Sequence, residues 1–216
     1  MPEPLDVTET RAAYDAVAED YAALLEDELA RKPIDRAILG AFAELVAADG
    51  GGVVADLGCG PGRVTGYLSS LGLDAFGVDL SPGMVEVAAA RYPQLRFEVG
   101  SMDALDIEDA SLAGALAWYS IIHTPDDRQP ELFAEFARVV KPGGWLLLAF
   151  QVGDEVVHLE HAYGHELSLD TRRQRPERVA DLLGAAEFDE FARTVRAAEA
   201  PEKSPQAYVL ARSRIR

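Results

Sequence analysis

Two carboxylates, Asp56 and Asp79, bracket the stretch of this chain whose residue types and spacing point most directly to chemistry. Asp56 lies near the end of a short apolar run, Val53 to Leu57, that enters the turn Gly58-Cys59-Gly60-Pro61-Gly62. Closely spaced glycines between a strand and a helix let a ligand lie against bare backbone, with N–H groups aimed at it. Asp79 closes the next apolar run, Ala75 to Asp79, where a carboxylate can accept both hydroxyls of a ribose. The pair therefore reads as a site for a ribose-bearing ligand.

Two ligand classes fit that description: a dinucleotide, or an adenosyl cofactor such as S-adenosylmethionine. Spacing separates them. Dinucleotide sites use G-x-G-x-x-G and present a helix N-terminus to a pyrophosphate. Here the spacing is G-x-G-x-G, and Asp56 sits where it would repel a pyrophosphate but suit the ammonium of a methionine moiety. No G-x-x-x-x-G-K-[ST] occurs, which excludes a Walker-type nucleotide site.

The elements needed to position these groups alternate. Helical spacing from Thr8 to Leu29 and again from Pro33 to Asp49 predicts two N-terminal helices. Strands are predicted at Val53 to Leu57, Ala75 to Asp79, Leu95 to Val99, Leu112 to Tyr119 and Trp145 to Phe150. Helices separate most of them, one opened by Ser81-Pro82 and one ending at Lys141-Pro142-Gly143-Gly144. Strands and helices at this rhythm imply right-handed βαβ units and a parallel sheet covered on both faces. Residues 152 to 169 show no clean period. A helix from Pro176 to Ala186 follows, then two closing strands, Phe188 to Val195 and Ala207 to Ala211.

The motifs in this order resemble the class I S-adenosylmethionine-dependent methyltransferases, of the small single-domain bacterial type. The resemblance rests on Asp56-Leu57-Gly58-Cys59-Gly60-Pro61-Gly62, Gly77-Val78-Asp79-Leu80-Ser81-Pro82-Gly83-Met84 and Gly100-Ser101-Met102-Asp103-Ala104-Leu105. Leu116 to His123 and Ala137 to Gly144 complete it. It implies an α/β fold with a Rossmann-like, seven-stranded, mostly parallel sheet, an antiparallel last strand and an N-terminal helical lid. One domain over 1–216 is expected: lid 1–50, cofactor-binding core 53–150, and an acceptor-covering insertion with closing strands over 151–216.

Residue by residue, the resemblance places Gly58, Cys59 and Gly60 along the methionine part of S-adenosylmethionine, with Asp56 near its ammonium. Asp79 takes the ribose hydroxyls, and Leu80 and Met84 pack on the adenine. Ser101 and Met102 edge the adenine; many relatives carry Asp where this chain has Ser101, so the contact to the adenine amine passes to Asp103 or to a backbone carbonyl. Trp118 stands beside the methyl group, and Tyr21 and Arg63 are carboxylate partners. Product would be S-adenosylhomocysteine. Methyl transfer is an in-line displacement that mainly requires alignment in a dry pocket. Where the nucleophile carries a proton, His123 is the candidate base, although it equally suits a cap of the loop Thr124-Pro125-Asp126. His158, His161 and His165 would share a face on a helix, but Gly164 and the strand-like Leu167 to Leu169 argue against one, and no metal is expected.

Over 216 residues, 37 Asp and Glu against 20 Lys and Arg leave a formal charge of -17. That field repels a polyanion, so no nucleic-acid partner is expected, and a small-molecule acceptor is favoured. Arg172, Arg173 and Arg175 form a local counter-trend that either faces solvent or meets an acidic acceptor. A single cysteine, an acidic N-terminus and the absence of a membrane-length apolar run point to a cytoplasmic protein without membrane attachment. Monomer and dimer both remain open. The alternatives are a cofactor-binding regulatory protein without turnover, and an NAD-dependent oxidoreductase.

Overall fold

The computed structural model describes residues 4–215. Three helices come first: α1 (Leu5–Leu24), the single turn α2 (Glu28–Arg31) and α3 (Pro33–Ala48). The alternating part then runs β1 (Val53–Leu57), α4 (Arg63–Ser70), β2 (Asp74–Asp79), α5 (Pro82–Arg91), β3 (Phe97–Val99), β4 (Leu112–Trp118), α6 (Gln129–Val139) and β5 (Val140–Gln151). A hairpin, β6 (Val156–Ala162) and β7 (His165–Arg172), precedes α7 (Pro176–Ala185), β8 (Phe188–Arg196) and β9 (Gln206–Ser213).

Seven strands form one sheet in the order β3-β2-β1-β4-β5-β9-β8. The first five are parallel, and β9 runs antiparallel to both of its neighbours, β5 and β8. This is the Rossmann-like sheet expected from the sequence. The order reverses between β1 and β4, and a crevice opens there at the carboxyl ends of the strands. Every residue of β4, LAGALAW, is buried, as a central strand covered on both faces requires. One face packs Phe133 and Phe136 of α6 and Val179 and Leu183 of α7 against Leu146, Leu148 and Val209. The other packs Leu39, Phe42 and Val46 of α3 and Leu68 of α4 against Leu116 and Leu147. At about 1.5–3 kcal/mol per fully buried large side chain, these two layers hold the sheet rigid beneath the crevice.

Local chemistry sets the boundaries. Ser81 caps α5 by accepting the Met84 N–H at 3.0 Å, with Pro82 at the first helical position. Two features depart from the sequence reading. First, α6 ends at Val139, and β5 already begins at Val140, so Lys141 to Gly144 belong to an irregular strand rather than to a helix end; the β4–β5 register slips between Leu112 and Gly114 to accommodate them. Second, residues 156–172 are an antiparallel hairpin outside the main sheet. Its turn residues Tyr163 and Gly164 have φ of 55° and 84°, the paired left-handed geometry that matches strand twist.

Candidate functional site

The glycine turn is held against the sheet by its own amides: the N–H groups of Gly58 and Cys59 both donate to the Val78 carbonyl, at 2.8 and 3.1 Å. Gly58 adopts φ +76°, and a Cβ built there would fall 2.3 Å from the Ser120 Cβ. Only glycine lets the end of β1 approach the end of β4 so closely. Cys59 turns its thiol into the protein, against the Cα of Gly77. Burial pushes that thiol well above its ordinary range, with the Asp79 carboxylate adding to the effect, so the sulfur is held as the unreactive thiol.

Asp56 is buried, its Oδ2 accepting the Thr65 hydroxyl at 2.6 Å and its Oδ1 left without a partner. Burial pushes its carboxyl up to about 7, against the opposing pull of Thr65 and Arg63. Arg63 pairs through Nη2 with Glu28 at 2.7 Å, while its Nη1 is buried and unpaired. The Trp118 indole N–H is likewise buried without a partner. Asp56, Arg63 and Trp118 line one small cavity with Tyr21, Gly58 and Gly60. Unmade hydrogen bonds on buried polar atoms are expensive, and three of them converge here.

A second cavity continues past Asp79. That side chain accepts the Gly60 N–H on Oδ2 at 2.7 Å and the Ser81 N–H on Oδ1 at 2.9 Å, and burial raises it to about 6. Leu80, Met84, Ser101 and Met102 line the cavity beyond it, with Met84 fully buried. The Ser101 hydroxyl donates to Asp103, whose carboxylate also takes Arg128, and Arg128 reaches Asp6 of α1 at 3.0 Å. Asp103 is thus already engaged by a cation. The cavity measures about 100 Å³, small beside the roughly 300–1,000 Å³ of ligand sites, because α1 lies directly over it.

Besides Asp6, further side chains tie α1 down. Asp15 accepts the Ser81 hydroxyl at 2.5 Å and the Gly83 N–H at 2.9 Å. Tyr14 lies 2.8 Å from Nε2 of His123, and Asp20 lies 2.7 Å from Nε2 of His165. His123 sits in the short helical turn Ile121–His123 after β4. Its Nδ1 lies 3.1 Å from the Asp170 carbonyl, which can only accept, so Nδ1 carries the proton and Nε2 accepts from Tyr14. Burial holds the imidazole down to about 4, so it is neutral at physiological pH.

Beyond Trp118 and Tyr119 lies a larger chamber of about 420 Å³, between α1, the hairpin and residues 201–206. Tyr119 enters it with φ 59°, a left-handed backbone that costs a non-glycine residue about 1–3 kcal/mol. The two adjoining cavities are lined by Tyr21, Asp56, Gly58, Cys59, Gly60, Arg63, Asp79, Leu80, Met84, Ser101, Met102 and Trp118, whereas Thr65, Tyr119, Tyr163 and the Tyr14–His123 bond were given no role in the sequence reading. Tyr14 and Tyr21, two helical turns apart, were the available signal for a shared α1 face. The histidine-rich stretch lies on strands: His158 and His161 pair with Asp170 and Glu166, at 2.8 and 3.6 Å. Arg173 pairs with Glu155 at 3.2 Å, and Arg172 lies 3.6 Å from Asp170.

Residues 54–144 match a protein family described as a methyltransferase domain. They contain the glycine turn, both acids and all of β4. That stretch is similar in sequence to a methyltransferase domain. Among similar curated proteins is an uncharacterised methyltransferase of Mycobacterium tuberculosis, 36% identical over 105 residues, which are 47% of this chain and 41% of that protein. A demethylmenaquinone methyltransferase of Renibacterium salmoninarum is 27% identical over 149 residues, 65% of this chain and 62% of that one. The chain spans less than half the length of the first of these relatives. Among solved structures, the 1,6-didemethyltoxoflavin N1-methyltransferase of Burkholderia thailandensis, crystallised with that compound and S-adenosylhomocysteine, superposes with a TM-score of 0.74. It covers 99% of this chain and 93% of its own at 23% identity, a likeness of fold. Among the described residues, no helix is long and apolar enough to cross a membrane.

Proposed function

We propose that this chain is an S-adenosylmethionine-dependent methyltransferase acting on a small molecule. The carrying observation is the convergence of three unpartnered buried polar atoms, Asp56 Oδ1, Arg63 Nη1 and Trp118 Nε1, at the glycine turn. An acceptor and two donors in one cavity complement the ammonium and carboxylate of an amino-acid tail. When bound, the cofactor supplies an electrophilic methyl group on a sulfonium. Asp56 then holds the ammonium, Arg63 and the Tyr21 hydroxyl serve the carboxylate, and the backbone of Gly58, Cys59 and Gly60 lies along the tail. Asp79 takes the ribose diol, Leu80 and Met84 sandwich the adenine with Met102, and Ser101 edges it. Trp118 separates this cavity from the chamber, where the acceptor is held, and His123 is the base. In this reading the chain acts as one domain, with 1–50 as lid, 53–150 as cofactor core and 151–216 covering the acceptor.

Isothermal calorimetry with S-adenosylmethionine and S-adenosylhomocysteine tests the proposal. Sub-millimolar binding of at least one is expected, and failure of both overturns it; NADH, whose pyrophosphate would meet Asp56, is expected to leave its nicotinamide fluorescence unchanged. Binding should also depend on pH in a defined direction. The buried Asp56 carboxyl titrates near 7, and pairing it with an ammonium requires its ionised form. Affinity therefore rises with pH from 5.5 to 7.5, by up to about tenfold per unit below that value. Titrations in two buffers of different ionisation heat should show a proton released on binding at pH 6. A pH-independent affinity would remove Asp56 from the ammonium.

A further inference from the structure

We propose that Tyr14 and His123 form a two-step proton relay serving a neutral, ring-bearing acceptor that carries an O–H or N–H group and lies in the chamber beneath the hairpin. The inference rests on the methyltransferase reading and adds what is methylated and where its proton goes.

The class of acceptor follows from the chamber wall. Rings of Tyr14, Tyr21, Trp118, Tyr119 and Tyr163 face it, and Leu159 and Leu169 of the hairpin add aliphatic surface. The rings meet edge to face, Tyr14 with Tyr21 at 5.9 Å between centroids and Tyr21 with Tyr163 at 4.9 Å, leaving ring faces available for stacking. Charged groups also reach the chamber, but each interior one is neutralised within the protein. Glu28 pairs with Arg63, Glu202 with Lys32 and Arg196, Asp35 lies 3.7 Å from Arg196 and accepts the Tyr208 hydroxyl, and Arg173 pairs with Glu155. Lys203 is exposed at the rim. Arg63 keeps an unpaired Nη1, which the proposed arrangement gives to the cofactor carboxylate; no other chamber-lining interior cation is spare for an anionic acceptor, and a net charge of -17 opposes its approach. The volume, about 420 Å³, is that of a small-molecule site.

The relay follows from Tyr14, whose side chain lines both the cofactor cavity and the chamber. Its hydroxyl donates to His123 Nε2, which leaves the oxygen able to accept, and the Asp170 carbonyl fixes the tautomer that accepts. As the acceptor oxygen or nitrogen bonds to the methyl carbon, the carbon–sulfur pair returns to sulfur. The acceptor proton passes to the Tyr14 oxygen, and the Tyr14 proton passes to Nε2 of His123. One positive charge leaves the sulfonium and one appears on the imidazolium, so the buried site keeps its net charge. Tyr14 of α1 and Arg172 of β7 are the titratable groups facing the imidazole; the Arg172 charge helps keep it neutral until transfer.

Calorimetry on the protein saturated with S-adenosylhomocysteine, using 2-naphthol and 2-naphthoate as probes, tests the acceptor class. Naphthol is expected to bind at least tenfold tighter, and Tyr163→Ala to lose that preference without changing S-adenosylhomocysteine affinity. Equal or tighter naphthoate binding, or no naphthol binding, overturns the acceptor class; no S-adenosylhomocysteine binding instead overturns the underlying reading. With 2-naphthol and labelled S-adenosylmethionine, Tyr14→Phe and His123→Asn should each lower kcat at least a hundredfold while naphthol affinity stays within threefold. Nitrogen-15 NMR should show one histidine that stays neutral and Nδ1-protonated down to pH 5, with its Nε2 resonance displaced in Tyr14→Phe. Bound naphthol that is not methylated, an unchanged kcat in Tyr14→Phe, or an Nε2-protonated His123 overturns the relay.

Discussion

Asp79→Ala is expected to weaken S-adenosylhomocysteine binding by roughly a hundredfold, the largest effect of any single polar substitution in the site. Two separate losses add. In the proposed arrangement the ribose hydroxyls lose the carboxylate that accepts them, and hydrogen bonds to a charged group are worth about 1.5–3 kcal/mol. In addition, the N–H groups of Gly60 and Ser81, which it accepts at 2.7 and 2.9 Å, lose their partner, so the glycine turn is no longer fixed to the end of β2. Asp79→Asn keeps one acceptor oxygen and should fall between the two. Calorimetry against the ligand gives the affinities, and amide exchange at Gly60 reports the turn. A loss of less than threefold in Asp79→Ala would mean that the ribose lies elsewhere.

For Gly58→Ala the expected result is a destabilisation of about 3 kcal/mol, read as a lower denaturation midpoint with an unchanged slope. Two physical contributions make up that figure. A left-handed φ of +76° is unfavourable for alanine by about 1–2 kcal/mol. The new Cβ also falls 2.3 Å from the Ser120 Cβ, an overlap that backbone movement relieves at about 1–3 kcal/mol. Because the β1 and β4 ends both form the cavity floor, any such movement also displaces Trp118. The double variant Gly58→Ala/Ser120→Gly separates the contributions. It removes the overlap but keeps the strained φ, and it loses the Ser120 hydroxyl bond to the Leu57 carbonyl at 2.7 Å. Measured against Ser120→Gly alone, Gly58→Ala is expected to cost less than in the parent; an equal cost would show that φ alone sets the penalty.

The parts of the site that were legible in the sequence are those where a backbone requirement selects a residue type locally. Gly58 is needed for φ and close approach, Ser81-Pro82 for a helix start, and Asp79 for a strand end; each leaves a mark within a few neighbouring residues. The hairpin left a weaker one. His165 to Arg172 does alternate, but β6 carries a register slip between Leu159 and His161, and its turn uses Tyr163-Gly164 rather than the more usual Asn-Gly or Asp-Gly. Helix-like histidine spacing competed with that alternation. The Tyr14–His123 and Asp56–Thr65 bonds were not legible because they join groups 109 and 9 residues apart through tertiary packing, not through local pattern. The same holds for the arginines after Arg172. For Arg172, Arg173 and Arg175 the sequence left solvent exposure and an acidic acceptor both open, whereas folding places Asp170 beside Arg172 and Glu155 beside Arg173.

The fastening of α1 bears on time as well as on geometry. Asp15, Tyr14 and Asp20 tie that helix to α5, to the turn after β4 and to the hairpin, which are three independent parts of the molecule. Under the proposed function, a ligand as long as an adenosyl amino acid passes only when these ties, the Arg128–Asp6 ion pair and the Arg91 bond to the Ala22 carbonyl let go together. The frequency of that concerted release sets an upper limit on how many times per second the site can be refilled, however fast the bond-making step beneath it.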